Sequence, residues 1–340
     1  MKRILVCLIA LVVVIGVAAM LQAQAPQAPK KLTLAMAVTP PNLVHIPPYL
    51  AKDLGYFKEE GLDVEIVSFE GGVGSMRMVM AGSIDLALTS GDPPVLARVQ
   101  GATTKMVYST SPRLEAVMTV QGSIKDIKDL KGKKIGIQEP NGFADLFSRR
   151  LLARAGIKPE EVQFISTSTA GRVPALVTGQ VDTGVLHVEQ AIRAIKRNPN
   201  LRNVANFWDM FSDAFYNVIV AQEKTIKEKG DVVEAFIRAT IKANRYIYRN
   251  KKGTLDAAAE ITGYTLEELE PAYDQLIKGR VWSVNDGLPR KSVDFNIENL
   301  VRIGRIPADK KPTYEQVVDP TIANKVLEKL GRWTDDPLWQ

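Results

Sequence analysis

The chain has almost no cysteine. Cys7 is the only one among 340 residues, and it lies within the apolar run near the start of the chain. It comes too early for the lipid-bearing cysteine of a lipoprotein, which would follow that run. Beyond the run, the sequence therefore excludes disulfides, thiolate metal sites and a cysteine nucleophile. Stability has to come from a buried core, and a chain of this length usually builds two domains.

Histidine is also scarce, and no segment carries a dense run of positive charge. His45 and His187 are the only two histidines, and they form no His-x-x-x-His pair, so no metal site is expected. No cofactor is expected either. Lys and Arg number 44 against 38 Asp and Glu, and these charges are well mixed. Nucleic-acid binding is therefore not predicted. The mild basicity suits an anionic ligand, and a solvated surface explains it equally well.

The start of the chain has the pattern of a secretory signal peptide. Lys2 and Arg3 precede the apolar residues 4–21, and Ala23-Gln24-Ala25 supplies a small-x-small cleavage site. We expect a cleaved signal peptide over 1–25, a linker over 26–30 and a soluble mature protein that is periplasmic or otherwise extracytoplasmic. An uncleaved anchor is the alternative, since about 18 apolar residues can just span a bilayer.

Strands and helices alternate through most of the chain, which indicates α/β architecture with largely parallel sheets. Predicted strands cover residues 31–38, 62–69, 84–89, 134–138, 162–166 and 181–187, with extended segments at 105–109 and 115–121. After a further strand at 216–222, the chain is predicted to be mainly helical.

A short internal repeat suggests two lobes of related design. Residues 82–88 (Gly-Ser-Ile-Asp-Leu-Ala-Leu) resemble residues 179–185 (Gly-Gln-Val-Asp-Thr-Gly-Val), and each segment leads into an apolar strand. When the two segments are compared, His187 is expected to correspond to Thr89. Ligands of open α/β sheets bind at the carboxyl ends of the strands, so each lobe would supply half of a cleft. Alternatively, Gly-x-Ile/Val-Asp is only a common turn before a strand.

Two segments carry a resemblance to a known family. Residues 47–51 (Pro-Pro-Tyr-Leu-Ala) and 55–65 (Gly-Tyr-Phe-Lys-Glu-Glu-Gly-Leu-Asp-Val-Glu) resemble the ABC-importer binding proteins for nitrate, alkanesulfonates, taurine and thiamine pyrimidine precursors. Weaker matches extend over nearly the whole mature chain. The resemblance implies a type II periplasmic-binding-protein fold, in which two lobes joined by two crossover hinge strands close over a ligand cleft. Lobe I would comprise residues 31–112 and 217–340, and lobe II residues 113–216.

The resemblance also implies a function. The chain would be a monomeric solute-binding protein that captures a small organic ligand and delivers it to the membrane permease of an ABC importer, without being an enzyme. A sulfonate-like anionic or aromatic acid is the expected ligand. The alternatives are a thiamine pyrimidine precursor, a sensor that presents its ligand to a receptor, and an enzyme on the same fold. Family enzymes that make this pyrimidine use a lysine-bound cofactor and a Cys/His-rich motif, which the mature chain lacks.

Loops at strand ends and helix starts supply the candidate ligand contacts, because free backbone N–H groups there suit anions. Ser75 and Asp92 are also expected to cap the helices that follow them. Arg172 is expected to be solvated, and Trp208 and Phe215 to pack in the core or stack near the second crossing. The predicted ligand-binding residues are His45, Gly72, Ser75, Thr89, Ser90, Asp92, Arg113, Asn141, Gly142, Phe143, His187 and Tyr216.

Two of these candidates bear on the identity of the ligand. His45 follows Asn42 in an Asn-x-x-His setting similar to that of the thiamine-precursor members. Phe143 follows Gly142 where family members often carry Gly-Ser or Gly-Thr. This departure argues against a simple inorganic anion as the ligand and allows an aromatic side chain to form one wall of the cleft.

Overall fold

A computed structural model describes residues 28–285 and 287–334. The predicted signal peptide and the first part of the linker lie outside the described residues. The described chain forms two separate five-stranded sheets flanked by helices.

The first sheet is assembled from two distant parts of the chain. Its strand order is β2-β1-β3-β10-β4, and only β10 runs antiparallel to its neighbours. Its strands are β1 (Lys30–Met36), β2 (Leu62–Ser68), β3 (Leu86–Ser90), β4 (Thr104–Ser111) and β10 (Asn217–Gln222).

The second sheet repeats this plan with a continuous segment. Its order is β7-β6-β8-β5-β9, and β5 is the antiparallel strand. Its strands are β5 (Ala116–Val120), β6 (Lys134–Ile137), β7 (Gln163–Ser166), β8 (Thr183–His187) and β9 (Arg202–Asn206). The chain crosses between the lobes twice, from β4 to β5 and from β9 to β10. The strand after each crossing thus becomes the antiparallel member of the sheet that it enters.

Fifteen α-helices are found among the described residues. Those associated with the first sheet are α1 (Pro47–Asp53), α2 (Tyr56–Glu59), α3 (Gly72–Met80), α4 (Asp92–Val99), α9 (Glu223–Glu228), α10 (Gly230–Arg249), α11 (Lys251–Thr262), α12 (Leu266–Lys278), α13 (Arg290–Arg302), α14 (Tyr314–Val317) and α15 (Thr321–Leu330). The others are α5 (Phe143–Ala155), α6 (Ser168–Val177), α7 (Val188–Arg197) and α8 (Phe207–Met210).

Burial explains why these segments adopt their structures. Every residue of β3, β5 and β8 is buried, as expected of central strands covered on both faces. Phe57, from the Gly-Tyr-Phe motif, is buried and stacks on Phe236 of α10 with ring centroids 5.2 Å apart. Phe57 therefore anchors the corner between α2 and β2 in the core, whereas Tyr56 is half-buried.

The internal repeat has a structural counterpart. The Asp85 carboxylate accepts a hydrogen bond from the Thr33 N–H at 2.9 Å, and the Asp182 carboxylate accepts one from the Lys134 N–H at 2.8 Å. Each aspartate thus joins the turn before one strand to the neighbouring parallel strand. The assignment of His187 to the place of Thr89 is wrong by one residue, because His187 ends β8 as Ser90 ends β3.

Several elements differ from the sequence prediction. Helix α3 begins at Gly72, before the Ser75 that was expected to cap it, and α6 begins at Ser168 with Pro174 inside it. Helix α7 and strand β9 were not predicted. Strand β9 has a polar sequence and pairs only with β5, because it is an edge strand with little need for an apolar pattern.

Candidate functional site

The two lobes meet at the carboxyl ends of their parallel strands, and a small cavity of about 20 Å³ remains between them. Such a space holds about one water molecule. The described conformation is therefore closed, and an organic ligand can reach this point only when the lobes separate. The cavity is lined by Ala37, Val38, His45, Gly71, Gly72, Ser90, Tyr216 and Asn217 from the first lobe and its crossing, and by Gln138, Glu139 and Phe143 from the second.

Four buried rings form an aromatic cluster at this cavity. The Tyr216 hydroxyl lies 3.4 Å from Nε2 of His45 and 3.4 Å from Nε2 of His187. Phe143 lies 4.4 Å from Tyr216 between ring centroids, and it stacks on His187 with an interplanar angle of 6°. The cluster gives the cleft an apolar wall with a few hydrogen-bonding atoms, the usual composition of a small-molecule site.

Buried charges surround the cluster. The Glu115 carboxylate contacts Nδ1 of His187, and it accepts a bond from the Val188 N–H at 3.3 Å. Glu189 accepts a hydrogen bond from the Leu43 N–H of the opposite lobe at 3.1 Å. Arg172 is almost completely buried and donates to the Val185 carbonyl at 3.2 Å. The expectation that Arg172 is solvated is therefore wrong.

Burial shifts the ionisation of these groups. It lowers the pKa of His45 well below its usual value, and the charges of His187 and Arg172 lower it further. Burial raises the pKa of Glu189, and the neighbouring Glu115 carboxylate adds to this effect. Burial likewise raises the pKa of Tyr216. His45 is thus neutral near pH 7, when one ring nitrogen donates and the other accepts.

A carboxylate of the second lobe occupies the start of a first-lobe helix. The Glu139 side chain accepts a hydrogen bond from the Val73 N–H at 2.9 Å, in the first turn of α3. It lies directly over Gly71, where an added Cβ would be 2.0 Å from Oε1 of Glu139. Burial raises the pKa of Glu139 despite these donors. The free N–H groups of α3 are therefore able to hold an anion, and the protein's own side chain supplies one here.

Further polar contacts join the lobes. Asp92 at the start of α4 pairs with Arg150 of α5 at 2.7 Å, and both side chains are buried. Glu70 accepts from the Thr169 N–H at 3.2 Å. Arg193 of α7 pairs with Glu268 of α12 at 2.6 Å. These contacts, together with those of Glu139 and Glu189, stabilise the closed arrangement.

The structure brings half of the predicted ligand-binding residues to the cleft cavity. Those that line it or contact its rings are His45, Gly72, Ser90, Phe143, His187 and Tyr216. Whether they bind a ligand stays a prediction.

The other predicted residues lie elsewhere. Ser75 is inside α3, where its hydroxyl donates to the Gly72 carbonyl, and Thr89 is buried behind Gly72. Gly142 precedes α5 as its N-cap residue. The exposed Asn141 donates its N–H to Asp145 at 2.7 Å. Arg113 lines a different cavity beside the first crossing.

The predicted capping roles are wrong. Ser75 lies within its helix, so it cannot precede the first turn. Helix α4 has Gly91 as its N-cap residue, and none of the described side chains caps it. Asp92 instead uses its carboxylate for the ion pair with Arg150, which lies in the other lobe and could not be foreseen from local sequence.

Several cleft residues were not among the predicted ligand-binding residues. Glu115, Gln138, Glu139, Glu189 and Asn217 all line the cavity or contact its rings and loops. Both amide atoms of Asn217 and Oε1 of Gln138 are buried without a hydrogen-bond partner among the described residues. The available signal was position: Gln138, Glu139 and Glu189 lie at or just beyond the end of a predicted strand, and Glu115 and Asn217 lie beside a crossing.

Over residues 28–285 and 287–334, no three His, Cys, Asp or Glu side chains are arranged to share a metal ion. None of the helices within these ranges combines the length and apolar character needed to cross a membrane.

The family of the chain follows from a match to residues 42–253, which cover most of both lobes. The matching family is described as NMT1/THI5 like. The chain belongs to this family.

Curated relatives include both binding proteins and an enzyme. YtlA of Bacillus subtilis, provisionally named a binding protein, is 23% identical over 85% of this chain and 88% of its own length. The formylaminopyrimidine-binding protein of Halalkalibacterium halodurans is 26% identical over 64% of this chain and 66% of its own. The 4-amino-5-hydroxymethyl-2-methylpyrimidine phosphate synthase THI13 of Saccharomyces cerevisiae is 24% identical over 61% of this chain and 64% of its own length.

Solved structures confirm the fold. The nitrate-binding protein NrtA of Synechocystis aligns with a TM-score of 0.74 at 16% identity, covering 89% of each chain. The alkanesulfonate-binding protein SsuA of Xanthomonas axonopodis, bound to MOPS, aligns with a TM-score of 0.70 at 17% identity, covering 86% of this chain and 99% of its own. The expected type II periplasmic-binding-protein fold is thereby confirmed.

Proposed function

We propose that this protein is an extracytoplasmic solute-binding protein of an ABC importer. It captures a small organic anion with an aromatic or apolar body and delivers it to a membrane permease. The predicted signal peptide, the two-lobed fold and the family membership support this role. No covalent step is needed, because lobe closure alone buries the ligand and presents a closed form to the partner. We accordingly propose that it acts by binding and not as an enzyme.

The observation that carries the proposed anion is the position of Glu139. Its carboxylate accepts from Val73 at the start of α3, in the wall of the cleft cavity. A helix start that binds one carboxylate in this way is suited to another. An anionic ligand entering the opened cleft would displace Glu139 and take over these N–H donors. The rings of Phe143 and Tyr216 would then cover its apolar part.

A thiamine pyrimidine precursor is the second candidate ligand. Glu139 and His45 support it, because a carboxylate and a neutral imidazole can recognise the amino group and ring nitrogen of an aminopyrimidine. In this case Glu139 would contact the ligand and would not be displaced by it.

The Glu139→Ala variant distinguishes the two candidates by the sign of its effect. Isothermal titration calorimetry would measure binding of a panel of aromatic sulfonates and carboxylates and of 4-amino-5-hydroxymethyl-2-methylpyrimidine. For an anion, removing the competing carboxylate should tighten binding about tenfold, which corresponds to about 1.4 kcal/mol. For an aminopyrimidine, the lost hydrogen bond should weaken binding by a similar factor.

Glu70→Ala is the matched control, since Glu70 also joins the lobes but does not line the cavity. It should change the affinities for both ligand classes in the same direction. Conversion of any bound compound to a product would contradict the proposed non-enzymatic role.

A further inference from the structure

A second and larger cavity, of about 590 Å³, lies beside the first crossing between the lobes. Its walls come from the crossing itself (113–115), from the segment 208–213 that leads back towards β10, and from the end of α12. None of its lining residues also lines the cleft cavity. Its volume falls within the range of sites that enclose small organic molecules.

Two cations on its wall lack protein partners. Arg113 and Lys278 are both exposed, and neither has a hydrogen bond or ion pair among residues 28–285 and 287–334. The nearby Lys291, in contrast, pairs with Asp213 at 2.8 Å. The Arg113 guanidinium can donate two parallel hydrogen bonds to an anion, and the Lys278 ammonium group adds a compact positive charge.

The acidic residues of this cavity are mostly engaged. The Asp213 carboxylate is paired with Lys291, and that of Glu115 contacts His187. Asp209 remains exposed, with a hydrogen bond from the Asn206 amide at 3.3 Å. Asp213 and Glu115 thus have partners other than Arg113 and Lys278, so these two cations are free to contact an anion.

The rest of the wall is mostly apolar and partly aromatic, with Ser212 and Gln275 as its uncharged polar residues. Trp208 is half-buried, whereas Phe211, Leu276 and Val281 are buried. The half-buried Trp208 indole lines the cavity, and an indole stacks well on a planar apolar group. The wall therefore suits the body of a ligand, and the cations suit its charged end.

We propose that this cavity binds an organic anion with an aromatic body, at a site separate from the cleft. The anionic group contacts Arg113 and Lys278, and the ring packs against Trp208. The proposal does not depend on the identity of the cleft ligand, because the two cavities share no lining residue.

The test uses 2-naphthalenesulfonate as the probe and calorimetry on the purified mature protein. Arg113→Gln and Lys278→Gln should each weaken binding about fivefold, as expected for one partly exposed charge. Asp209→Asn should tighten binding, because it removes a repulsive carboxylate. The uncharged analogue 2-naphthol should bind all three variants like the parent protein.

Arg197→Gln and Lys224→Gln serve as matched controls, since both residues are exposed and lie outside the cavity. They should leave the affinity for the probe unchanged. Absence of binding, or equal binding by the parent and the two cation variants, overturns the proposal. Loss of binding in Phe143→Ala without loss in the cation variants places the probe in the cleft and also overturns it.

Discussion

Single side chains determine how the lobes hold the cleft closed. Gly71 has extended backbone (φ −167°), so its lack of a side chain serves the close approach of Glu139 and not an unusual backbone conformation. We predict that Gly71→Ala forces Glu139 from the start of α3 and shifts the protein towards an open form. Small-angle X-ray scattering of the ligand-free protein should show a larger radius of gyration.

Gly74→Ala, in the same helix, is the control for this prediction. Its added Cβ would meet only Phe69, at an ordinary contact distance of 3.8 Å. The scattering of this variant should match that of the parent. An unchanged radius of gyration in Gly71→Ala would show that the Glu139 contact does not hold the lobes together.

His45 should make stability depend on pH. Its pKa is lowered in the folded protein, whereas in the unfolded chain it returns to about 6.5. The unfolded state then binds more protons below pH 6.5, so the His45 contribution is fully present above this pH and is lost as pH falls. Between pH 7.5 and 5.5, the parent should lose about 1 kcal/mol more unfolding free energy than His45→Gln.

Urea denaturation at both pH values measures this difference. The His187–Glu115 contact is present in both proteins, so the comparison isolates His45. Equal losses in the parent and the variant would mean that His45 accepts a proton in the folded state.

At the scale of elements, the buried pair Asp92–Arg150 joins α4 of one lobe to α5 of the other. Removing one member leaves a buried charge without a partner, which costs about 3–5 kcal/mol. We predict that Asp92→Asn lowers the urea midpoint strongly. Replacing both residues by apolar side chains of similar volume, Asp92→Leu with Arg150→Met, should recover most of the loss. A double variant as unstable as Asp92→Asn would contradict this account.

Element prediction succeeded where the apolar pattern was strong. The fully buried strands β3, β5 and β8 were predicted because their burial requires continuous apolar runs. Strand β9 was missed, since it has no such run. Helix α7 was missed although its apolar residues, including Val188, Ala191 and Ala194, recur at helical spacing. Helix α7 places Arg193 against Glu268 and Glu189 against Leu43, so its polar residues are explained by contacts to the other lobe.

At the scale of the whole molecule, ligand binding requires lobe separation, because the closed cleft leaves about 20 Å³. Glu70 and Thr169 face each other across the lobes, with the Thr169 hydroxyl 2.9 Å from the Glu70 carbonyl. We predict that a short bis-maleimide cross-link between Glu70→Cys and Thr169→Cys abolishes binding of the cleft ligand. Calorimetry before and after cross-linking measures the affinity for the cleft ligand.

The two single-cysteine variants, treated with the same reagent, are the controls. Cys7 lies within the predicted signal peptide, so the mature protein should have no competing thiol. Full binding by the cross-linked protein would show that the ligand enters without lobe opening.

The sequence by itself determined the α/β class, the repeat around Asp85 and Asp182, and the family, because these depend on local apolar patterns and short motifs. It also placed His45 between the first strand and the first helix, Phe143 at a helix start and Tyr216 at the second crossing. Only the tertiary structure decided that Glu139 covers Gly71 and that Asp92 meets Arg150. It also showed that Arg113 lines the cavity beside the first crossing and not the cleft cavity. These relations join residues of different lobes, and their geometry depends on how two sheets close on each other, which no local pattern encodes.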